Sequence, residues 1–171
     1  MAVRIKFINE SDSPAFVDLL GGIFEHSPWV AERAYLLGPF NSLDNLHQAM
    51  VHIVRQASPE RRLELLRKHP QLAGKEAAAG SLTDASKREQ AGAGLNQCSA
   101  AELARIEQLN RAYADRFGFP FIIAVGGLDK AQIIAAMERR IENSREDEFA
   151  TAIGEVEKIA LLRLSNLILP A

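Results

Sequence analysis

The sequence has 171 residues, a formal net charge of −2 and 47% hydrophobic residues, enough for one compact domain with a substantial core. It has no basic stripe of the kind that neutralises phosphates, so nucleic acid is not expected as a partner. The single cysteine, Cys98, excludes an internal disulfide framework and a thiolate metal site. Residues 1–10 lack the apolar run of a signal peptide, and no segment reaches the roughly 18 apolar residues of a membrane span. We therefore expect a cytoplasmic protein without a membrane partner.

Helix start signals occur along the whole chain. A serine followed by proline offers an N-cap oxygen and a residue suited to the first helical position. This pair occurs at Ser13-Pro14, Ser27-Pro28 and Ser58-Pro59. Further N-caps are predicted at Ser42, Asp129 and Ser144, and Ser99 with Glu102 has the spacing of a capping box.

Apolar residues recur at helical spacing between these caps. The last long run, residues 149–168, places one apolar face on Ile153, Val156, Ile159, Ala160, Leu164 and Leu167. Gly118 is predicted to end the helix that starts after Ser99. Only FPFIIAV, residues 119–125, looks extended, and it fits a short strand, a buried loop or a helix start. The pattern predicts one all-α domain, residues 1–171, with seven to eight helices.

The helical pattern breaks within RKHPQLAG, residues 67–74, where Pro70 follows His69. The connection from Pro70 to Ser99 is rich in glycine and alanine, and long connections of this kind are often functional. A short helix from Thr83 or Asp84 to Ala91 is predicted inside it. The glycines of this segment also allow it to act as a lid over a ligand.

Three residues in unusual positions are candidates for chemistry, and each has two interpretations. His69 suits proton transfer near neutral pH, or it is a cation in the last turn of a helix that favours the helix dipole. Glu89, in SKREQ, belongs either to a site or to a solvated charged helix. Arg163 interrupts an apolar helix and either snorkels to the surface or binds an anion in a cleft.

Other common kinds of site are not predicted. His47 and His52 are five residues apart, which is a poor spacing for sharing a metal ion on one helical face. No glycine-rich phosphate loop, no Gly-x-Ser-x-Gly motif and no plausible Cys–His pair is present. The residue pattern therefore favours neither a metal, a nucleotide nor a covalent hydrolase site.

Five stretches, taken together and in order, resemble one family. They are FEHSPWVAERA, RKHPQLAG, SKREQAGAGL, RFGFPFIIAV and EVEKIALLRL. As a set they are similar to the 2-oxo-4-hydroxy-4-carboxy-5-ureidoimidazoline (OHCU) decarboxylases, which act last on the route from urate to allantoin. The likeness spans roughly residues 7 to 168. It implies an all-helical fold, no metal or organic cofactor, a small-molecule substrate (OHCU) and a homodimer.

The resemblance also implies site residues. The family's catalytic residues fall on His69, Glu89 and Arg163. Substrate contacts fall on Pro70, on Ser86, Lys87, Arg88, Glu89 and Gln90, and on Phe121, Ile122, Ile123, Ala124 and Val125. The C-terminal residues carry no peroxisomal tripeptide, which suggests a bacterial-type cytoplasmic enzyme.

The implied reaction needs a proton donor and no metal, because the ring itself can accept the charge left by carbon dioxide. His69 either delivers the proton that sets the (S) configuration of allantoin or first takes one from the substrate hydroxyl. Glu89 either holds the imidazole and stabilises its charged form or accepts hydrogen bonds from the ureido group. Arg163 is expected to stabilise charge on a ring oxygen.

The main alternative is a non-catalytic helical module that binds a protein partner through an apolar face near Trp29. That alternative predicts that residues 70–98 form a floppy linker.

Overall fold

The computed structural model describes all residues, 1–171, and confirms the all-α prediction. Seven of its ten α-helices have eight residues or more, and two single 3₁₀ turns lie at Tyr35–Leu37 and Leu95–Gln97. The helices are α1 (Ile5–Glu10), α2 (Ser13–Leu20), α3 (Trp29–Ala34), α4 (Leu43–Gln56), α5 (Pro59–Arg67), α6 (Lys75–Ala78), α7 (Asp84–Gly92), α8 (Ala100–Phe117), α9 (Lys130–Arg140) and α10 (Arg145–Leu167). No helix combines the length and the apolar character needed to cross a membrane.

The chain divides into two compact units. The first comprises residues 1–68 and 157–171, and the second comprises residues 69–156. Helices α1–α5 belong to the first unit, α6–α9 belong to the second, and the long α10 contributes to both.

In the first unit, α3 packs against α2 and α4. The buried ring of Phe16 lies 5.3 Å from the ring of Tyr35 and 6.1 Å from that of Phe40, measured between centroids. Val3 joins the two chain ends through hydrogen bonds of 2.8 Å with the backbone of Leu167 and Leu169. The unit is thus closed around a core of buried apolar side chains.

In the second unit, aromatic side chains hold the connection after α8 in place. The rings of Tyr113 and Phe117 on α8 are 4.5 Å apart, and the Phe121 ring lies edge-on to Tyr113 at 5.4 Å. Phe119 joins the same cluster at 5.9 Å from Tyr113. Edge-to-face packing of this kind stabilises the cluster beyond what the burial of the rings alone contributes. The stretch 119–125 is therefore a buried loop, and the strand and helix-start interpretations are wrong.

Most predicted helix termini are confirmed. Side-chain oxygens of Ser42, Ser58, Ser99, Asp129 and Ser144 accept from backbone N–H groups three residues on, and Gly118 ends α8 at φ 79°. Two predicted caps are wrong. Asp12 caps α2 in place of Ser13, and the Ser27 hydroxyl donates to the Glu25 carbonyl at 3.1 Å, so α3 begins at Trp29 without a side-chain cap.

The connection between Pro70 and Ser99 is structured. It contains α6, α7 and one 3₁₀ turn, and α7 begins at Asp84 and ends at Gly92, within one residue of the prediction. Thr83 caps α7 by accepting a hydrogen bond from the Ser86 N–H at 3.3 Å. The floppy linker that a pure interaction module predicts is therefore wrong.

Candidate active site

His69 is the first residue of the second unit and lies outside any helix. Helix α5 ends at Arg67 and Lys68 is its C-cap, so the predicted position of His69 in the last helical turn is wrong. The His69 side chain is only 7% exposed, whereas the neighbouring Pro70 is half-buried. A buried imidazole beyond a helix end fits the proton-transfer interpretation better than the helix-dipole interpretation.

Two amide side chains fix the backbone that follows His69 and Pro70. The Gln90 Oε1 atom accepts from the Ala73 N–H at 2.9 Å, and its Nε2 atom donates to the Gln71 carbonyl at 3.3 Å. The Asn110 Nδ2 atom donates to the Leu72 carbonyl at 2.9 Å. Because each bond reaches a different residue of the segment, helices α7 and α8 determine its path.

Helix α7 separates the residues of SKREQ onto two sides. Ser86 and Gln90 are one turn apart and buried, Glu89 is half-buried, and Lys87 and Arg88 are exposed. The solvated-helix interpretation therefore describes Lys87 and Arg88 but does not describe Ser86 and Gln90.

The predicted substrate-contacting stretch, residues 121–125, is held by charged side chains from two helices. The Arg140 Nη1 atom donates to the Ile122 carbonyl at 2.7 Å, and the Ala124 N–H donates to Glu155 Oε1 at 3.2 Å. The side chains of Phe121, Ile122 and Val125 are buried, whereas Ile123 and Ala124 are half-buried.

Arg140 is itself fixed by a fully buried carboxylate. Glu148 accepts hydrogen bonds from Arg140 Nε at 3.0 Å and from Asn143 Nδ2 at 2.9 Å, and Arg140 Nη2 lies 2.9 Å from its carboxylate as an ion pair. The Tyr113 hydroxyl also donates to Glu148, and burial together with this bond raises the pKa of Tyr113 above its usual value. Each charge of this network thus has a partner, as burial requires.

Arg163 belongs to the first unit and is only 7% exposed, so the snorkelling interpretation is wrong. Its Nη1 atom lies 2.7 Å from Oε2 of Glu25, which is 1% exposed, and 3.3 Å from the Gly22 carbonyl oxygen. Glu25 lies in FEHSPW, where its carboxylate was not predicted to have a function.

His47 and His52 have different surroundings. The His47 Nε2 atom lies 2.8 Å from the Glu157 carbonyl oxygen, whereas His52 is exposed. The Glu157 carboxylate forms a two-pronged ion pair with Arg55, which raises the pKa of that arginine.

Several residues that support the candidate site were missed by the sequence analysis. They are Glu25, Asn110, Tyr113, Arg140, Glu148 and Glu155. One signal was present, because Glu148, Ala152, Glu155 and Ile159 follow one another at intervals of four, three and four residues and are all buried. A carboxylate on the buried face of a helix needs a charged or hydrogen-bonding partner, which the apolar pattern alone does not identify.

Comparison with known proteins places the chain among related sequences over nearly its whole length. The sequence model of the family described as OHCU decarboxylase matches residues 9–165. The OHCU decarboxylase of Haloferax volcanii is 48% identical over 96% of this chain and 95% of that protein. The mouse (Mus musculus) protein of the same name is 37% identical over 94% of this chain and 90% of that protein.

Two solved structures are similar as well. The crystal structure of an (S)-allantoin synthase superimposes with a TM-score of 0.78 at 37% identity, over 97% of this chain and 54% of that chain. An OHCU decarboxylase crystallised in the presence of (S)-allantoin has a TM-score of 0.69 at 24% identity, over 91% of this chain and 97% of that chain, and shares the fold.

Proposed function

The chain belongs to the OHCU decarboxylase family, and we propose that it converts OHCU to (S)-allantoin with His69 as the general acid or base. The family assignment makes the protein a carbon–carbon lyase of urate degradation. The buried imidazole of His69, at the start of a segment that Gln90 and Asn110 hold, is the observation that supports its role.

The reaction breaks the bond between the carboxylate and a ring carbon and releases carbon dioxide. The electron pair of that bond passes into the ring, and a proton added to one face of a ring carbon completes allantoin. An imidazole exchanges protons near neutral pH, and a buried one is screened from competing solvent protons. His69 is thus suited either to deliver this proton or to take one from the substrate hydroxyl beforehand.

We propose roles for Glu89 and Arg163 as well. Half-buried Glu89 either orients the imidazole and stabilises its charged form or accepts from the ureido group. Arg163 stabilises charge on a ring oxygen, and its pairing with Glu25 moderates its attraction for the leaving carboxylate. Such moderation matters because binding the ground state as strongly as the transition state gains no rate.

We also propose that the protein acts as a homodimer in the cytoplasm, with OHCU as its ligand and no cofactor. The family resemblance supports the dimer, and the lone cysteine fits a reducing compartment. Light scattering of the purified protein should give twice the mass of the 18.8 kDa chain, and a monomer mass would contradict the dimer.

The function is tested with OHCU generated in situ from urate by the two preceding enzymes. The wild-type protein should accelerate the decay of OHCU and yield one enantiomer of allantoin, whereas spontaneous decay yields the racemate. His69→Asn should lower the rate at least about a hundredfold while retaining the helical circular dichroism. His52→Asn, at an exposed histidine, is the matched control and should keep full activity. Wild-type rates in His69→Asn would contradict the assignment.

A further inference from the structure

The two peptide groups on either side of Ile123 are each held at one end by a buried charged residue. The Ile122 carbonyl accepts from Arg140, and the Ala124 N–H donates to Glu155. The N–H and C=O of Ile123 itself make no hydrogen bond within the chain, although Ile123 is half-buried. A donor and an acceptor of the same residue are therefore available to a ligand.

The held Ile122 carbonyl and Ala124 N–H determine where the N–H and C=O of Ile123 point, because each shares a peptide group with one of them. Both peptides around Ile123 are trans and nearly planar. In a trans peptide the C=O and N–H point in opposite directions. The bond from Arg140 to the Ile122 carbonyl therefore directs the Ile123 N–H away from Arg140. The bond from the Ala124 N–H to Glu155 likewise directs the Ile123 carbonyl away from Glu155.

We propose that Arg140 and Glu155 are positioning residues for the decarboxylation. They orient the N–H and C=O of Ile123 so that this pair binds a neighbouring C=O and N–H on the ureidoimidazoline ring. This inference rests on the proposed function, because it takes OHCU and allantoin as the ligands. Both ligands carry adjacent carbonyl and N–H groups, which match one donor and one acceptor.

Arginine is specifically suited to the position of residue 140. Its Nε and Nη2 atoms bind Glu148 while Nη1 binds the Ile122 carbonyl, so one planar group serves two partners. The guanidinium carbon of Arg140 also lies 4.3 Å from the centroid of the Phe121 ring. This cation–π contact holds Phe121, the residue before Ile122. A lysine keeps the charge beside Glu148, but a single ammonium lacks the fork that reaches both partners.

The test compares substitutions at both positions. Arg140→Lys and Glu155→Leu should each raise KM for OHCU and Kd for (S)-allantoin about tenfold, with a smaller change in kcat. Glu155→Gln retains an acceptor oxygen for the Ala124 N–H and should recover most of the affinity that Glu155→Leu loses. Arg105→Lys, in the exposed pair with Glu138, is the matched control for an arginine replacement.

A second measurement is independent of turnover. Titration of the ¹⁵N-labelled protein with (S)-allantoin should shift the Ile123 amide resonance in wild type and in Arg105→Lys. The shift should require about tenfold more ligand in Arg140→Lys. If either substitution prevents folding, the other one and the wild-type titration decide the question.

The outcomes separate the two proposals. An active wild-type enzyme whose Arg140→Lys and Glu155→Leu variants keep KM and Kd overturns the positioning role alone. An Ile123 amide that does not respond to saturating (S)-allantoin in an active wild-type enzyme does the same. A wild-type protein that neither accelerates OHCU decay nor binds (S)-allantoin overturns the proposed function and the positioning role together.

Discussion

The Nη1 atom of Arg163 lies 2.7 Å from the Oε2 atom of Glu25, and both side chains are buried. These residues are 138 positions apart in the chain, so the first unit joins its early loop to its C-terminal helix through this pair. Removing one member of a buried pair leaves the other charge without compensation, which is more costly than losing an exposed ion pair.

Replacing Glu25 with leucine should therefore strongly destabilise the protein. We expect Glu25→Leu to lower the free energy of unfolding by about 3–5 kcal/mol, measured by urea denaturation followed by circular dichroism. The control is Glu138→Leu, which breaks the exposed pair with Arg105 and should cost about 1 kcal/mol or less. If both variants lose the same free energy of unfolding, the buried pair of Glu25 and Arg163 is no more costly to break than the exposed pair.

Removing the charge of Glu89 tests whether that charge acts on His69. Glu89→Gln should lower kcat/KM on the order of a hundredfold, because a neutral amide stabilises a protonated imidazole less than a carboxylate does. Asp84→Asn makes the same charge change at an exposed position of α7 and should leave kcat/KM unchanged. A nearly silent Glu89→Gln would limit Glu89 to contacts with the substrate.

Local features of the fold could be predicted because their partners are close in sequence. Ser58 and Ser99 accept from N–H groups three residues away, and the left-handed turn at Gly118 depends on one residue. The prediction at Ser27 was wrong: its hydroxyl donates to the Glu25 carbonyl, two residues before it, and no side-chain oxygen caps α3. Local propensity decides such positions only where no other partner is available.

The supports of the site depend instead on tertiary packing. Arg140 reaches the Ile122 carbonyl across 18 residues, and Gln90 reaches the Gln71 carbonyl across 19 residues. The two residues of each pair lie on different elements, so the apolar periodicity of a helix does not reveal either contact. The family motifs predict His69 and the 121–125 stretch as site residues, but they do not reveal which side chains hold them.

Removing the Gln90 side-chain amide should loosen the segment that follows His69. Gln90→Leu leaves the Ala73 N–H and the Gln71 carbonyl without their partner. Each lost hydrogen bond makes the backbone of this segment less constrained. We expect the Ala73 amide to exchange with deuterium about tenfold faster or more, measured by NMR, together with a higher KM for OHCU.

An exposed glutamine provides the comparison for this variant. Gln48→Leu, on the surface of α4, should change neither the Ala73 exchange rate nor KM. Unchanged exchange at Ala73 in Gln90→Leu would mean that Asn110, which binds the Leu72 carbonyl, holds the segment without help from α7.

Tyr113 should make the stability of the protein fall at alkaline pH. Burial and the bond to Glu148 raise the pKa of the Tyr113 phenol, so it stays protonated in the folded state above pH 10, where a tyrosine of the unfolded chain ionises. Its contribution is fully present below about pH 10 and is lost as the pH rises further, because only the unfolded state releases the proton. Urea denaturation between about pH 8 and 11 should therefore show a shallower decline for Tyr113→Phe than for wild type. Tyr35→Phe, at the other tyrosine, should decline like wild type, and parallel curves for wild type and Tyr113→Phe would contradict the raised pKa.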